Sequence, residues 1–148
     1  MKIAVIGGGS TYTPELIDGF ISRETNLSVS EICLQDINRE RLDVVADFCG
    51  RLLEEGAARF SLSRTESVIE AVDGADFVLI QIRVGGQRAR HKDILLGLKH
   101  GLIGQETTGI GGFAKALRTL PVVMETCEAV EKYAPDSWTL NFTNPSGL

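Results

Sequence analysis

The chain of 148 residues holds no apolar run near the ~20 residues that a membrane-spanning helix needs, so no membrane segment is expected. Cysteine is scarce: Cys33, Cys49 and Cys127 are odd in number and show no CxxC spacing. That excludes a disulfide frame or a cysteine-rich zinc site and predicts reduced core thiols in a cytoplasmic protein. Cys127 falls at helical core spacing with Leu120, Val123, Met124 and Val130. Basic residues are in deficit, with 15 Lys and Arg against 20 Asp and Glu and a net charge of -5. This balance argues against a nucleic-acid partner but leaves room for a local basic pocket that takes a small anion. The two histidines, His91 and His100, have no partner at helical spacing and are expected on the surface. Met1–Ile6 runs directly into a glycine cluster and carries no signal-peptide pattern.

What is present is an alternation of short apolar runs with helical patterns. Lys2–Gly7 is apolar enough for a strand covered on both faces, as in a parallel sheet. Thr13-Pro14 reads as a cap followed by Pro in the first turn, ahead of a face formed by Leu16, Ile17, Phe20 and Ile21. Glu31–Asp36 is a second strand, and Asn38 caps a helix whose inner face is Leu42, Val45, Ala46, Cys49, Leu52 and Leu53. Phe60–Leu62 is a third strand, with Ser63 and Glu66 spaced as a capping box for the next short helix. Phe77–Ile82 is a fourth strand and Arg83–Gln87 a loop, followed by a helix over Ala89–Lys99. Gly104–Gly112 is too rich in Gly and Thr for regular structure. A long helix is predicted over Phe113–Tyr133 with Pro121 inside it, then a fifth strand, Trp138–Phe142, and a turn, Thr143–Gly147. The pattern predicts an α/β chain with a Rossmann-like doubly wound parallel sheet in the order 3-2-1-4-5. The whole of 1–148 is read as one NAD(P)-binding domain. Because such folds continue beyond the fifth strand, it is expected to be the N-terminal portion of a longer enzyme, truncated before a C-terminal catalytic domain.

Two constellations carry chemistry. Gly7, Gly9 and Ser10 lie between the first strand and helix, where glycine permits close approach to a pyrophosphate and the helix N-terminus favours negative charge. Tyr12 stands where the usual fingerprint has its third glycine. Asp36 ends the second strand, where a carboxylate binds adenosine ribose hydroxyls and disfavours a 2′-phosphate, which predicts NAD over NADP. The second constellation follows the fourth and fifth strands: Arg83, Gly85, Gly86, Arg88 and Arg90, then Asn141, Asn144 and Pro145. Arginine suits phosphate or carboxylate, and asparagine suits sugar hydroxyls.

The blocks Ile6-Gly-Gly-Gly-Ser-Thr-Tyr-Thr-Pro-Glu-Leu16, Arg83-Val-Gly-Gly86 with Arg90, Gly104-Gln-Glu-Thr-Thr-Gly109 and Asn141-Phe-Thr-Asn-Pro145 occur in order. Together they resemble the N-terminal domain of glycoside hydrolase family 4, most closely its 6-phospho-β-glucosidases. The resemblance implies a redox route to hydrolysis. NAD accepts a hydride from C3 of the sugar, the resulting ketone acidifies the C2 proton, the aglycone leaves from C1, water adds, and C3 is reduced again. A divalent metal, Mn2+ in most members, polarises the C3 oxygen. It further implies that Gly7, Gly9, Ser10, Asp36 and Arg83 hold cofactor. Arg90, Asn144, Asn141 and Glu106 would bind a phosphorylated disaccharide or glucoside, with Gln105 nearby. The family's metal ligands and its catalytic base are expected downstream of Leu148, so the chain alone is expected to be inactive, and the full-length protein to be a dimer or tetramer. Two other readings stay open: a lactate- or malate-type 2-hydroxy acid dehydrogenase, and a stand-alone NAD-binding module.

Overall fold

The computed structural model describes residues 1–144, and the end of the predicted turn, from Pro145 on, lies outside them. Five strands, β1 (Lys2–Ile6), β2 (Glu31–Gln35), β3 (Ser61–Thr65), β4 (Phe77–Ile80) and β5 (Trp138–Asn141), form one sheet in the order β3-β2-β1-β4-β5. All four pairings are parallel, with Ile3 opposite Ile32 on one side and Phe77 on the other. Strand side chains alternate between faces, and both faces of β1 are covered. Ile3 and Val5 pack with Ile32, Leu34 and Leu79 under Ile17 of α1 (Thr13–Ser22) and Leu42, Ala46 and Cys49 of α2 (Arg39–Glu55). Ala4 and Ile6 pack with Cys33, Val78 and Ile80 under Ala71 and Val72 of α3 (Val68–Val72) and Val130 of α5 (Gly109–Tyr133). Helix α4 (Gly86–Lys99) packs on α5. This is the doubly wound arrangement predicted from the apolar runs.

Several local expectations are corrected. Thr13 is not the cap of α1: Tyr12 is, without a side-chain bond, while the Thr13 hydroxyl is buried and donates to the Gly8 carbonyl at 2.8 Å. Ser63 lies within β3 and donates to Glu31, so the capping box it suggested does not form; Ser67 caps α3 by accepting from the Glu70 amide. Strand β3 starts and ends later than predicted, and β4 ends at Ile80. The loop after β4 is shifted two residues earlier, to 81–85, because β4 ends at Ile80 and α4 begins at Gly86 once Gly85 adopts the left-handed conformation (φ 79). The glycine-rich stretch is partly helical, with α5 starting at Gly109.

Cys127 is exposed, and so are Leu120 (44%) and Met124 (56%). Of the apolar stripe expected to be core, Val130 is buried and Val123 half-buried, while Leu120, Met124 and Cys127 face solvent, because α5 is turned so that Thr126 and Val130 meet the sheet. Cys33 and Cys49 are buried, and burial pushes the Cys49 thiol up to about 11. Thiolate is the reactive form. Labelling the folded chain with a thiol reagent near pH 8 is therefore expected to modify one cysteine rapidly, Cys127, and all three only after unfolding.

Candidate functional site

Strand order reverses at β1, so the connections to β2 and β4 leave in opposite directions and open a crevice at the carboxyl ends of β1 and β4. On one wall the nucleotide-type loop folds over the end of β2. Gly7 has φ 91, a conformation that other residues rarely adopt. The amides of Gly7 and Gly8 both donate to the Gln35 carbonyl, at 2.8 and 2.7 Å. The Gly9 amide donates to Asp36 Oδ2 at 3.0 Å, and a Cβ on Gly9 would lie 2.8 Å from that oxygen. Asp36 Oδ1 accepts from the Asn38 amide, and Arg41 Nη2 donates to the Gly9 carbonyl at 3.0 Å. Both ends of the Gly9 peptide are thus held from the β2–α2 junction. From beneath, Gln81 Nε2 donates to Thr13 Oγ1 at 2.8 Å and to the Gly7 carbonyl at 3.3 Å.

The helices that follow differ at their starts. Asn38 and Ser67 cap α2 and α3 through their side chains, whereas α1, α4 and α5 have no side-chain cap. Uncapped N-termini leave free amides and a partial positive charge. The loop, the open start of α1 and Asp36 at the crevice edge fit an NAD pyrophosphate and adenosine ribose. A carboxylate has about four lone-pair positions, so Asp36 can brace the loop and still accept from a hydroxyl.

The other wall is built by β4, α4 and α5 around one carboxylate. Glu106, in the loop before α5, receives three cations. Arg83, just past β4, donates to Oε1, and Lys115 Nζ donates to the same oxygen at 2.7 Å. Arg90 Nε lies 2.8 Å from Oε2 as an ion pair whose alignment falls short of a hydrogen bond. Exposure is graded: Lys115 keeps 6% of its side-chain surface, Glu106 12%, Arg83 31% and Arg90 43%. Burial pushes the Glu106 carboxyl upward, but the hydrogen bonds and charges of Lys115 and Arg83 outweigh it and hold the pKa below its ordinary value. Arg118 braces the wall, giving Nε to the Val84 carbonyl and a two-pronged contact to the buried Asp93.

The structure therefore brings Arg83, Arg90 and Glu106 together in the segments after β4, and Gly7, Gly9, Ser10 and Asp36 together at the ends of β1 and β2. Asn141 Oδ1 is engaged locally by the Thr143 amide and hydroxyl at the end of β5, and Asn144 is exposed just beyond. Gln105 braces Thr108 at the start of α5, and Arg88 is exposed on α4. Both histidines are exposed, as expected. Lys115, Arg118, Asp93, Arg41 and Gln81 were missed in the sequence. In the structure Lys115 lies about three helical turns before Thr126, on the buried face of α5, and no sequence signal marked that face.

This fold defines a Rossmann-like, doubly wound α/β chain. Residues 2–148 match the model of the family 4 glycosyl hydrolases, and the chain belongs to that family. It is 45% identical over its full length to the 6-phospho-beta-glucosidase of Escherichia coli, of which it covers 33%. It is 40% identical to 6-phospho-alpha-glucosidase 1 of Lacticaseibacillus paracasei, over 99% of the chain and 33% of that protein. The solved 6-phospho-beta glucosidase of Thermotoga maritima with manganese, NAD+ and glucose-6-phosphate superposes with a TM-score of 0.93 at 44% identity, over 99% of this chain and 35% of that one. The chain thus spans about a third of the length of the curated relatives it matches. A malate dehydrogenase from Salinibacter ruber, at 15% identity and a TM-score of 0.65, shares the fold alone.

Removing the Glu106 charge has a pH signature. A carboxylate with a depressed folded-state pKa stabilises the fold above its unfolded value, ~4.3, and that contribution fades as pH falls through the folded pKa. Glu106→Gln is expected to cost roughly 2–4 kcal/mol near neutrality, because it leaves Lys115 buried without its counter-charge. Urea unfolding at a series of pH values should show the gap to the parent constant above about pH 5 and shrinking toward pH 3.

Proposed function

We propose that the protein carrying this chain is an NAD- and divalent-metal-dependent glycosidase acting on 6-phospho-β-glucosides, with this chain providing the NAD site and one wall of the sugar site. The single observation that carries the reading is the convergence of Arg83, Arg90 and Lys115 on one carboxylate beside a glycine loop and an uncapped helix. A basic pocket for a phosphate monoester and a cradle for a dinucleotide share one crevice, in a chain whose overall charge is negative.

Gly7, Gly9 and Ser10 let the pyrophosphate approach the start of α1, where the helix end carries roughly half a positive charge. Asp36 accepts from the adenosine ribose hydroxyls and repels a 2′-phosphate. Arg83 faces the cofactor side of the sugar, Arg90 binds the 6-phosphate, and Glu106 holds the two guanidinium groups in place. Asn141 and Asn144, at the end of β5, present amides to hydroxyls near the reacting carbons. The chemistry that bound NAD supplies is hydride acceptance and return. Among the described residues no group of three or more His, Cys, Asp or Glu side chains is placed to hold an ion. The preference for the β-anomer rests on the higher identity to the E. coli 6-phospho-beta-glucosidase, at 45% against 40% for the L. paracasei alpha-glucosidase.

The test is release of nitrophenol by the intact enzyme from nitrophenyl 6-phospho-β-glucoside, its α-anomer and the unphosphorylated glucoside, with and without NAD+ and Mn2+. Cleavage that requires both additions and favours the phosphorylated β-substrate at least about tenfold, ~1.4 kcal/mol, is expected. Cofactor-independent cleavage, or NADH formation from malate or lactate without cleavage, would overturn the proposal.

A further inference from the structure

The buried lysine of the Glu106 cluster contacts no ligand in the proposed site. A single carboxylate needs one cation for neutrality, and here it has three. Lys115 is the deepest of them, at 6% side-chain exposure, and its ammonium is fixed on Glu106 Oε1 by a 2.7 Å hydrogen bond. Arg90 is the most exposed and the least well held, since its Nε lies against Oε2 without forming an aligned hydrogen bond. The cluster as a whole retains two positive charges in excess. A phosphate monoester carries about -1.5 to -2 at neutral pH, which matches that excess.

We propose that Lys115 is a positioning residue that neutralises Glu106 from below, so that Arg90, which has no aligned hydrogen bond to the carboxylate, stays available to an incoming phosphate while Arg83 remains held. Without Lys115 the carboxylate would draw Arg90 fully onto itself, and the pocket would lose charge and geometry together. Glu106 then acts as the frame of the phosphate site, and Lys115 sets how much guanidinium charge that frame leaves free. The inference rests on the phosphorylated-sugar reading of the site.

The experiment is calorimetric titration of the intact enzyme with glucose 6-phosphate and, separately, with glucose. Four proteins are compared: the parent, Lys115→Met, Lys115→Arg and the double variant Lys115→Met/Glu106→Gln. Thermal melting accompanies each to establish that it is folded. Lys115→Met is expected to weaken glucose 6-phosphate about tenfold or more, equivalent to ~1.4 kcal/mol, while glucose binding changes less than twofold. Lys115→Arg keeps the charge and should stay within about threefold of the parent. The double variant makes both partners of the buried pair neutral; the amide oxygen at position 106 still accepts from Arg83 but carries no charge to capture Arg90, so the variant should recover most of the lost affinity. A purely structural lysine would instead weaken both ligands alike, with no recovery in the double variant, and that result overturns the inference. So would unchanged glucose 6-phosphate affinity in Lys115→Met. If the parent itself fails to favour glucose 6-phosphate over glucose, the phosphate reading of the site fails, and this inference with it. If Lys115→Met does not fold, the double variant decides: affinity well below the parent contradicts the proposal.

Discussion

Everything in this molecule hangs from β1, a strand hydrogen-bonded on both edges and covered on both faces. Its neighbours β2 and β4 both run parallel to it, and the chain must reach them by crossovers on opposite sides of the sheet. A parallel connection turns right-handed, so α1 and α2 settle on one face and α3 and α5 on the other. The two sets of loops then diverge at the carboxyl end of β1, and a crevice forms there with no side chain assigned to making it. Ile3 and Val5 secure one layer and Ala4 and Ile6 the other, so a polar residue at any of these positions would loosen the sheet and the crevice together.

The crevice walls differ in what they are made of. The β2 wall is nearly all backbone: glycine amides spent on the Gln35 carbonyl and Asp36, carbonyls held by Thr13, Gln81 and Arg41. It is set by sterics, since a Cβ at Gly9 would collide with Asp36. The β4 wall is ionic, with Glu106 and Asp93 each anchoring arginine from a neighbouring element. A backbone cradle beside an ionic pocket suits a ligand pair of which one is a dinucleotide and the other a small phosphorylated sugar. The local positive excess in an acidic chain comes from three cations converging on one carboxylate.

The sheet was legible in the sequence because strands covered on both faces must be apolar, and Ile3–Ile6 and Phe77–Ile80 are. The strand order followed from chain handedness. Caps were less legible: Thr13 and Ser63 are good capping residues, yet each sits one element-end away from where its hydroxyl could serve, and that depends on the exact end of the strand before it. Of the α5 stripe, Val130 meets the sheet but Leu120, Met124 and Cys127 do not, because apolar residues run around more than one side of the helix and spacing alone does not say which side is covered. Of the candidate site, Gly7, Gly9, Asp36, Arg83, Arg90 and Glu106 were readable as residues whose type suits their place. The counter-ion role of Glu106 and the burial of Lys115 were not, because ion pairing across a loop and two helices is a property of tertiary packing. The identity to glycosidases that act on phosphorylated sugars agrees with that chemistry without depending on any one of these residues.

The central claim is that two different walls of one crevice receive two ligands, with the phosphate of the sugar on the ionic wall. A crystal structure of the intact enzyme with NAD+ and glucose 6-phosphate tests it most directly. The account predicts the adenosine ribose within hydrogen-bond distance of Asp36, the pyrophosphate over Gly7–Ser10, and the sugar phosphate on Arg90 with Lys115 still on Glu106. A sugar phosphate bound away from Arg90, or a dinucleotide seated anywhere but the β1–β2 side, would contradict it.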